Sequence, residues 1–264
     1  MIPDKTMNLD IFVIQITETA DLLRSKGWAE ATAGNLSVDI TGYDIDMNEF
    51  IYVNSLKFPS IFRNLNGSSF LITASGSRIR ELAKSPNENL VLVIISGDGS
   101  TCEIYAKIPN NKVNIKPTSE LYSHLGIYNH LHQKKLSYQS IVHTHSTGII
   151  ALTHNPKFKS TEAISELIWK MYPESALFLP YGVGFVPYII TGSIELAEAT
   201  AQAASAHSVI VWEKHGIIAY GVNTIEALDK IEIVAKSVDI YFQCLKAGFE
   251  PEGLSEEQIG KLKK

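Results

Sequence analysis

His143 and His145, spaced i and i+2 in the run IVHTHST, and His215, far downstream in IVWEKHGIIAY, are the residues best suited to chemistry in this sequence. The stretch Ser140-Ile-Val-His-Thr-His is β-branched and apolar up to its histidines, which predicts a buried strand with residues i and i+2 on one face. Two neutral imidazoles on that face, joined by a third from another strand end, would suit a Zn²⁺-type ion and leave one coordination position open to water or substrate. The pair taken alone also fits two rings that are simply hydrogen-bonded in a polar pocket.

Three further segments have residues suited to an anion or a proton. KPTSELYSH places Pro117, Thr118 and Ser119 at the start of an expected helix and Glu120 in its first turn. Hydroxyls and unpaired amides at a helix start suit a phosphate, and a carboxyl near a metal suits a base; an ordinary N-cap with an acidic first turn explains the same run. Thr73-Ala-Ser-Gly-Ser77 reads as a strand entering a glycine turn, and Thr32-Ala-Gly-Asn35 as small residues that let backbone amides approach a ligand. Neither has the form of a nucleotide-binding glycine loop.

These segments need elements to carry them. Helical spacing of Ile11, Ile14, Leu22 and Leu23 predicts a helix over residues 8–26, stopped by Gly27. A strand follows Gly34, residues 43–69 read as a loop or irregular hairpin, and FLITASGSR reads as strand, turn and short helix. LVLVIISGDGSTCEIYA predicts a hairpin about Gly97-Asp98-Gly99, and a helix is expected from Ser119 to about Lys134. Beyond it come a strand at 139–144, helices from about 146 and around 164–171, a short strand near Leu177 and a strand in GVGFVPYII. A helix at 193–206, strands at 208–213 and 217–220, and a long helix opening at Asn223-Thr-Ile-Glu226 complete the pattern. Leu228, Ile231, Ala235, Val238, Phe242 and Leu245 give that last helix one apolar stripe, fit to cover the sheet or a neighbouring subunit. The expected fold is a single α/β domain over residues 1–264, with a central, mostly antiparallel sheet between helices.

Composition narrows the partners. With 264 residues, 45% of them hydrophobic, the chain can bury a large core, and a net charge of −5 without a basic cluster beyond the Lys261-Leu-Lys-Lys264 tail argues against nucleic acid. Cys102 and Cys244 lack CxxC spacing and read as thiols in a reducing compartment. The acidic start, with Asp4 and Asp10, and the absence of an 18-residue apolar window predict neither signal peptide nor membrane span, hence a cytoplasmic protein.

In their order along the chain, GWAEATAGNLS, LITASGSR, KPTSELYSH, VHTHSTGIIALTH, LPYGVGFVPY, IELAEATAQ and VWEKHGIIA resemble the class II aldolase/adducin family over nearly the whole length. The resemblance implies an αβα fold, a homotetramer with sites at subunit interfaces, and one Zn²⁺ per subunit held by His143, His145 and His215. It implies Glu120 as the catalytic carboxyl and Glu174, in LIWKMYPE, as an acid acting on the aldehyde part from a neighbouring subunit. The substrate phosphate would be held by Thr32, Gly34, Asn35, Ser75, Gly76, Thr118 and Ser119. The implied reaction is retro-aldol cleavage of a ketose 1-phosphate. Relatives use the same groups on other sugar phosphates, and a non-catalytic binding module keeps the fold without the metal. His124 lies one helical turn after Glu120 and either supports the site or is a hydrogen-bonded core residue, while Lys214, beside His215, is expected to point away.

Overall fold

The computed structural model describes residues 9–107 and 115–263. The expected residue 8 of the first helix, Asp4 and Lys264 lie outside them. Nine strands make one mixed sheet: β1 (Asn35–Asp39), β2 (Phe50–Lys57), β3 (Ser69–Thr73), β4 (Leu90–Ile95), β5 (Thr101–Lys107), β6 (Ser140–Thr144), β7 (Gly184–Val186), β8 (Val209–Trp212) and β9 (Gly216–Gly221). The helices among the described residues are α1 (Asp10–Lys26), α2 (Ile79–Leu82), α3 (Pro86–Asn89), α4 (Leu121–Gln133), α5 (Thr147–Leu152), α6 (Thr161–Met171), α7 (Pro173–Phe178), α8 (Ile194–Ala204), α9 (Thr224–Lys246) and α10 (Glu256–Leu262). None is long and apolar enough to cross a membrane.

Strand order is β2-β5-β4-β3-β1-β6-β9-β8-β7. Every neighbouring pair is antiparallel except β7 and β8, as the sequence pattern predicts. Two cores form, one on each face. Leu36 and Val38 of β1 join α1, α6 and α9 in the first, while Ile72, Ile141 and Ile218 join α4 and α8 in the second. The stripe of α9 resolves in favour of the sheet: Leu228, Ile231, Ala235 and Val238 are buried in the first core, with Phe242 and Leu245 packed at its margin. Its start is capped by the Asn223 side chain accepting from the Glu226 N–H at 2.8 Å.

The structure adds the short helices α3 and α10 to the sequence reading and departs from it in four further places. Residues 43–69 contain the eight-residue strand β2, which pairs along β5 at the sheet edge with an irregularity between Tyr52 and Asn54. Both its faces are largely exposed, so no apolar alternation marks it. The stretch around Leu177 is helix α7, started by Pro173 at its first position, where a missing N–H costs nothing. GVGFVPYII yields only the three-residue β7, because Pro187 offers no ladder donor. Helix α4 begins at Leu121, so Glu120 occupies the N-cap position instead of the first turn.

Asn35, Ser37 and Asp39, the alternate residues of β1, face helix α4. There they bond Glu120, His124, Tyr128 and His132, residues spaced four apart. At the end away from the histidine motif, His132 Nε2 pairs with Asp39 Oδ2 at 2.5 Å. This bond raises the imidazole pKa above its ordinary 6.5. Folding therefore favours the protonated ring, and the pair's contribution is complete below pH 6.5 and lost as pH rises through the raised value. We expect His132→Gln to cost about 1 kcal/mol near pH 6 and progressively less in alkali; urea titrations across that range give the measurement, and a pH-independent difference contradicts the pairing.

Candidate metal centre and active site

Strand β6 delivers the first imidazole. His143 sits opposite Ile218 of β9 on one side and Asn35 of β1 on the other, and its Nδ1 lies 2.9 Å from the Ile217 carbonyl. A carbonyl only accepts, so Nδ1 carries the proton and Nε2 presents a lone pair; that buried nitrogen has no hydrogen-bond partner. His145 lies just beyond the strand, its backbone N–H donating to the Trp28 carbonyl at 2.9 Å. Its Nδ1 is 3.0 Å from Glu30 Oε1, which likewise leaves Nε2 for another partner.

His215 comes from the tight turn between β8 and β9, where Lys214 adopts φ 59° and the His215 N–H donates to the Trp212 carbonyl at 3.1 Å. Lys214 points away from the site, with its Nζ 3.3 Å from Glu213 Oε1. The rings of His143 and His215 both lie against Trp212, with centroids 4.6 and 5.0 Å from it. Gly216 permits this approach: a Cβ there would stand 2.6 Å from the Thr144 carbonyl and 3.0 Å from His143 Cε1. Gly34 does the same for the β1 entry, since it holds φ +80° and a Cβ would lie 3.1 Å from the His143 carbonyl.

The three ring centroids stand 5.0 to 5.1 Å apart, and one nitrogen of each ring lies within 4.8 Å of the others. His143, His145 and His215 thus form a cluster that could hold a metal ion. Burial, reinforced by the neighbouring imidazoles, pushes His143 well below the usual histidine range and His215 to about 4. Neutral nitrogens with free lone pairs are the form a borderline divalent ion requires, so the donor set fits. Glu120, only 5% exposed, places Oε2 3.4 Å from His143 Nε2 and Oε1 3.4 Å from His215 Nε2.

A cavity of about 430 Å³ opens on this cluster. Its wall brings together Thr32, Gly34, Asn35, Ser75, Gly76, Thr118, Ser119, Glu120, His143, His145 and His215. The loops are laced to each other: the Ser75 N–H donates to the Lys116 carbonyl at 2.7 Å, and the Thr118 N–H to the Thr73 carbonyl at 2.9 Å. Asn35 lines the cavity with its side-chain amide bonded to Glu120 and His124. Burial holds the His124 ring at a pKa of about 3. Glu174 does not line the cavity of its own chain; it lies on α7.

Two polar lining residues were not anticipated. Glu30, which meets His145, lies in the GWAEATAGN stretch without any periodicity to single it out. Thr191 reaches the wall from the connection after β7. That connection is anchored by Glu213, whose Oε2 accepts from the Tyr188 N–H at 3.0 Å and whose Oε1 meets Lys159 Nζ at 2.9 Å. Lys159, then the Tyr188 N–H, bring the Glu213 carboxyl down to about 2.

The sequence matches the family described as Class II Aldolase and Adducin N-terminal domain over residues 14–242, and the chain belongs to that family. Its relatives include a protein named rhamnulose-1-phosphate aldolase from Bacteroides thetaiotaomicron, 37% identical over 95% of this chain and 92% of that one. Another protein of that name, from Listeria welshimeri, is 30% identical over 88% and 83% of the two chains. Among solved structures, a sugar-phosphate aldolase from Thermotoga maritima superposes with a TM-score of 0.78 at 29% identity, covering 93% of this chain and 99% of that one. An L-fuculose 1-phosphate aldolase shares the fold, with a TM-score of 0.62 at 21% identity, covering 98% and 97%.

Gly216→Ala should force apart the Thr144 backbone and the His143 ring. A loss of about 1–3 kcal/mol in stability is expected from the overpacking alone. Bound divalent ion, measured by atomic emission on the folded fraction, should fall well below the wild-type content; full retention would show that the turn tolerates a methyl group.

Proposed function

We propose that this chain is a Zn²⁺-dependent lyase that reversibly cleaves L-rhamnulose 1-phosphate to dihydroxyacetone phosphate and L-lactaldehyde. The observation that carries the reading is the convergence of three imidazoles and Glu120 in one cavity walled by small hydroxyl residues. It stands in a chain 37% identical to a protein named for that reaction. One Zn²⁺ per subunit suits three neutral nitrogens, and the free thiols of Cys102 and Cys244 suit a cytoplasmic setting.

Cleavage of the C3–C4 bond leaves an electron pair on C3 that must be drawn toward the C2 carbonyl. A cation bound by His143, His145 and His215 would supply the Lewis acidity that lowers the energy of that charge. The C4 hydroxyl gives up its proton to solvent as it becomes the aldehyde, and Glu120, beside the same imidazoles, delivers a proton to C3; condensation reverses both transfers. Thr32, Gly34, Asn35, Ser75, Gly76, Thr118 and Ser119 enclose the phosphate with hydroxyls and backbone amides, which fixes C3 near the acid. Nucleic acid and membrane have no place in this scheme.

Glu174 enters from a neighbouring copy and meets the aldehyde part. Its helix also exposes Leu177 and Phe178, 52% and 63% accessible, and Ile190, beside the cavity residue Thr191, is 70% accessible. Exposed apolar side chains on α7 and beside the cavity residue Thr191 suit a homotetramer with sites at its subunit interfaces. A second reading, cleavage of L-fuculose 1-phosphate, follows from the resemblance of the run Thr32-Ala-Gly-Asn35 to fuculose-phosphate relatives; it changes the stereochemistry of the aldehyde end and leaves the metal and Glu120 in place.

Triose-phosphate release from each sugar phosphate by the purified protein decides between them: rhamnulose 1-phosphate should turn over fastest, and faster turnover of fuculose 1-phosphate reverses the assignment. Chelation should abolish activity and added Zn²⁺ restore it. Glu120→Gln should keep the metal and lose roughly 100-fold or more in kcat, whereas His145→Ala loses both. Mixed assemblies of Glu120→Gln and Glu174→Ala subunits should regain activity that neither variant shows alone; no gain on mixing removes Glu174 from the neighbour's site.

A further inference from the structure

A buried file of polar groups leads away from Glu120. Asn35 Nδ2 donates to Glu120 Oε2 at 2.7 Å, and Asn35 Oδ1 lies 2.6 Å from His124 Nε2. On the other side of the ring, His124 Nδ1 is 2.6 Å from Ser37 Oγ, which is 3.0 Å from Tyr128 Oη. Tyr128 Oη ends the file 3.3 Å from the Gln139 carbonyl. His124, Ser37 and Tyr128 are all 0% exposed, so bulk solvent does not reach these bonds.

A carboxylate at Glu120 sets the protons along the file. A carboxylate oxygen accepts, so Asn35 must turn its NH₂ toward Glu120 and its carbonyl toward His124. The ring must then carry its proton on Nε2, and Nδ1 accepts from the Ser37 hydroxyl. Ser37 Oγ then accepts from the Tyr128 hydroxyl at 3.0 Å, the shorter of that group's two contacts, so the single phenol proton is directed to Ser37 and the 3.3 Å approach to the Gln139 carbonyl is secondary. Reversing the Asn35 amide would set its carbonyl against the Glu120 carboxylate, a repulsive pair that no change of imidazole tautomer removes.

We propose that His124 is the positioning residue of this active site: through its Nε2–H tautomer it fixes the Asn35 amide, which holds the Glu120 carboxyl between His143 and His215. The claim about position stands on the geometry; its effect on rate rests on the lyase reading. His124 touches neither the proposed substrate nor the imidazole cluster, and it acts only through Asn35.

The test separates the two. Nitrogen-15 NMR of histidine-labelled protein should show His124 as a neutral ring protonated on Nε2; a ring protonated on Nδ1 overturns the proposal whatever the substrate is. In kinetics, His124→Phe keeps a ring of similar volume without the donor and should lower kcat about 100-fold, with KM and bound divalent ion near wild type. His124→Gln, whose terminal NH₂ can donate to Asn35 Oδ1, should recover most of that loss. An unchanged kcat in His124→Phe, or an equal loss in both variants, assigns the ring to packing and refutes the proposal. If His124→Phe fails to fold, Ser37→Ala takes its place: loss of the hydroxyl donor should give a tautomer mixture and a lower kcat, and no change in either contradicts the file. Wild-type protein that cleaves none of the sugar phosphates would sink the lyase reading, while the tautomer would still decide the position of Glu120.

Discussion

A strand and a helix can exchange side-chain bonds repeatedly only if they advance in step. Two residues of extended chain rise about 6.7 Å and four residues of helix rise about 6 Å, so alternate residues of β1 can meet successive turns of α4. Asn35, Ser37 and Asp39 do so with Glu120, His124, Tyr128 and His132, while Leu36 and Val38 on the other face of the strand enter the first core. This polar seam sets the height of α4 on the sheet. It thereby places Glu120, at the N-cap of α4, over the point where the end of β6 and the turn into β9 bring in the histidines.

The imidazole cluster depends on a second constraint, that of backbone approach. Thr144 pairs with Ile217 and Trp212 with Gly216, so the ends of β6, β8 and β9 crowd together at a turn with no room for a side chain at position 216. The His143 ring is buried against Trp212 with the half-buried His215 ring beside it, and His143 Nε2, 3.4 Å from Glu120, has no hydrogen-bond partner. Burying unpaired nitrogens is costly in a protein of protein atoms alone. A shared cation offsets that cost, which is why the same burial that keeps the rings neutral also argues for a metal.

Much of this was legible from the sequence because the decisive residues sit where periodicity is strong. The run into His143 and His145 is apolar and β-branched, and the α9 stripe repeats at 3-4 spacing, so strand β6 and the covering helix could be placed by pattern. Edge strand β2 could not, since exposed faces leave no alternation, and α7 was misread because Leu177 and Phe178 look like a buried strand but remain accessible. Within the site, spacing could put His124 on the same face as Glu120 but could not say what it bonds, because its partners Asn35 and Ser37 come from a strand more than 80 residues earlier. Glu30 and Thr191 lie on irregular connections, where residue type alone carries no direction.

The cavity wall among the described residues contains no lysine or arginine, although the proposed substrate bears a phosphate. A lysine would attract such a ligand at long range, as a point charge that fixes little of its orientation. Hydroxyls and backbone amides attract it weakly until it is seated, then constrain each oxygen. With a chain of net charge −5, the proposed cation becomes the main source of attraction for an anionic ketose phosphate. Binding and chemistry would then draw on the same three imidazoles, and the seam between β1 and α4 would serve both by keeping Glu120 at the cation's edge, close enough to move a proton.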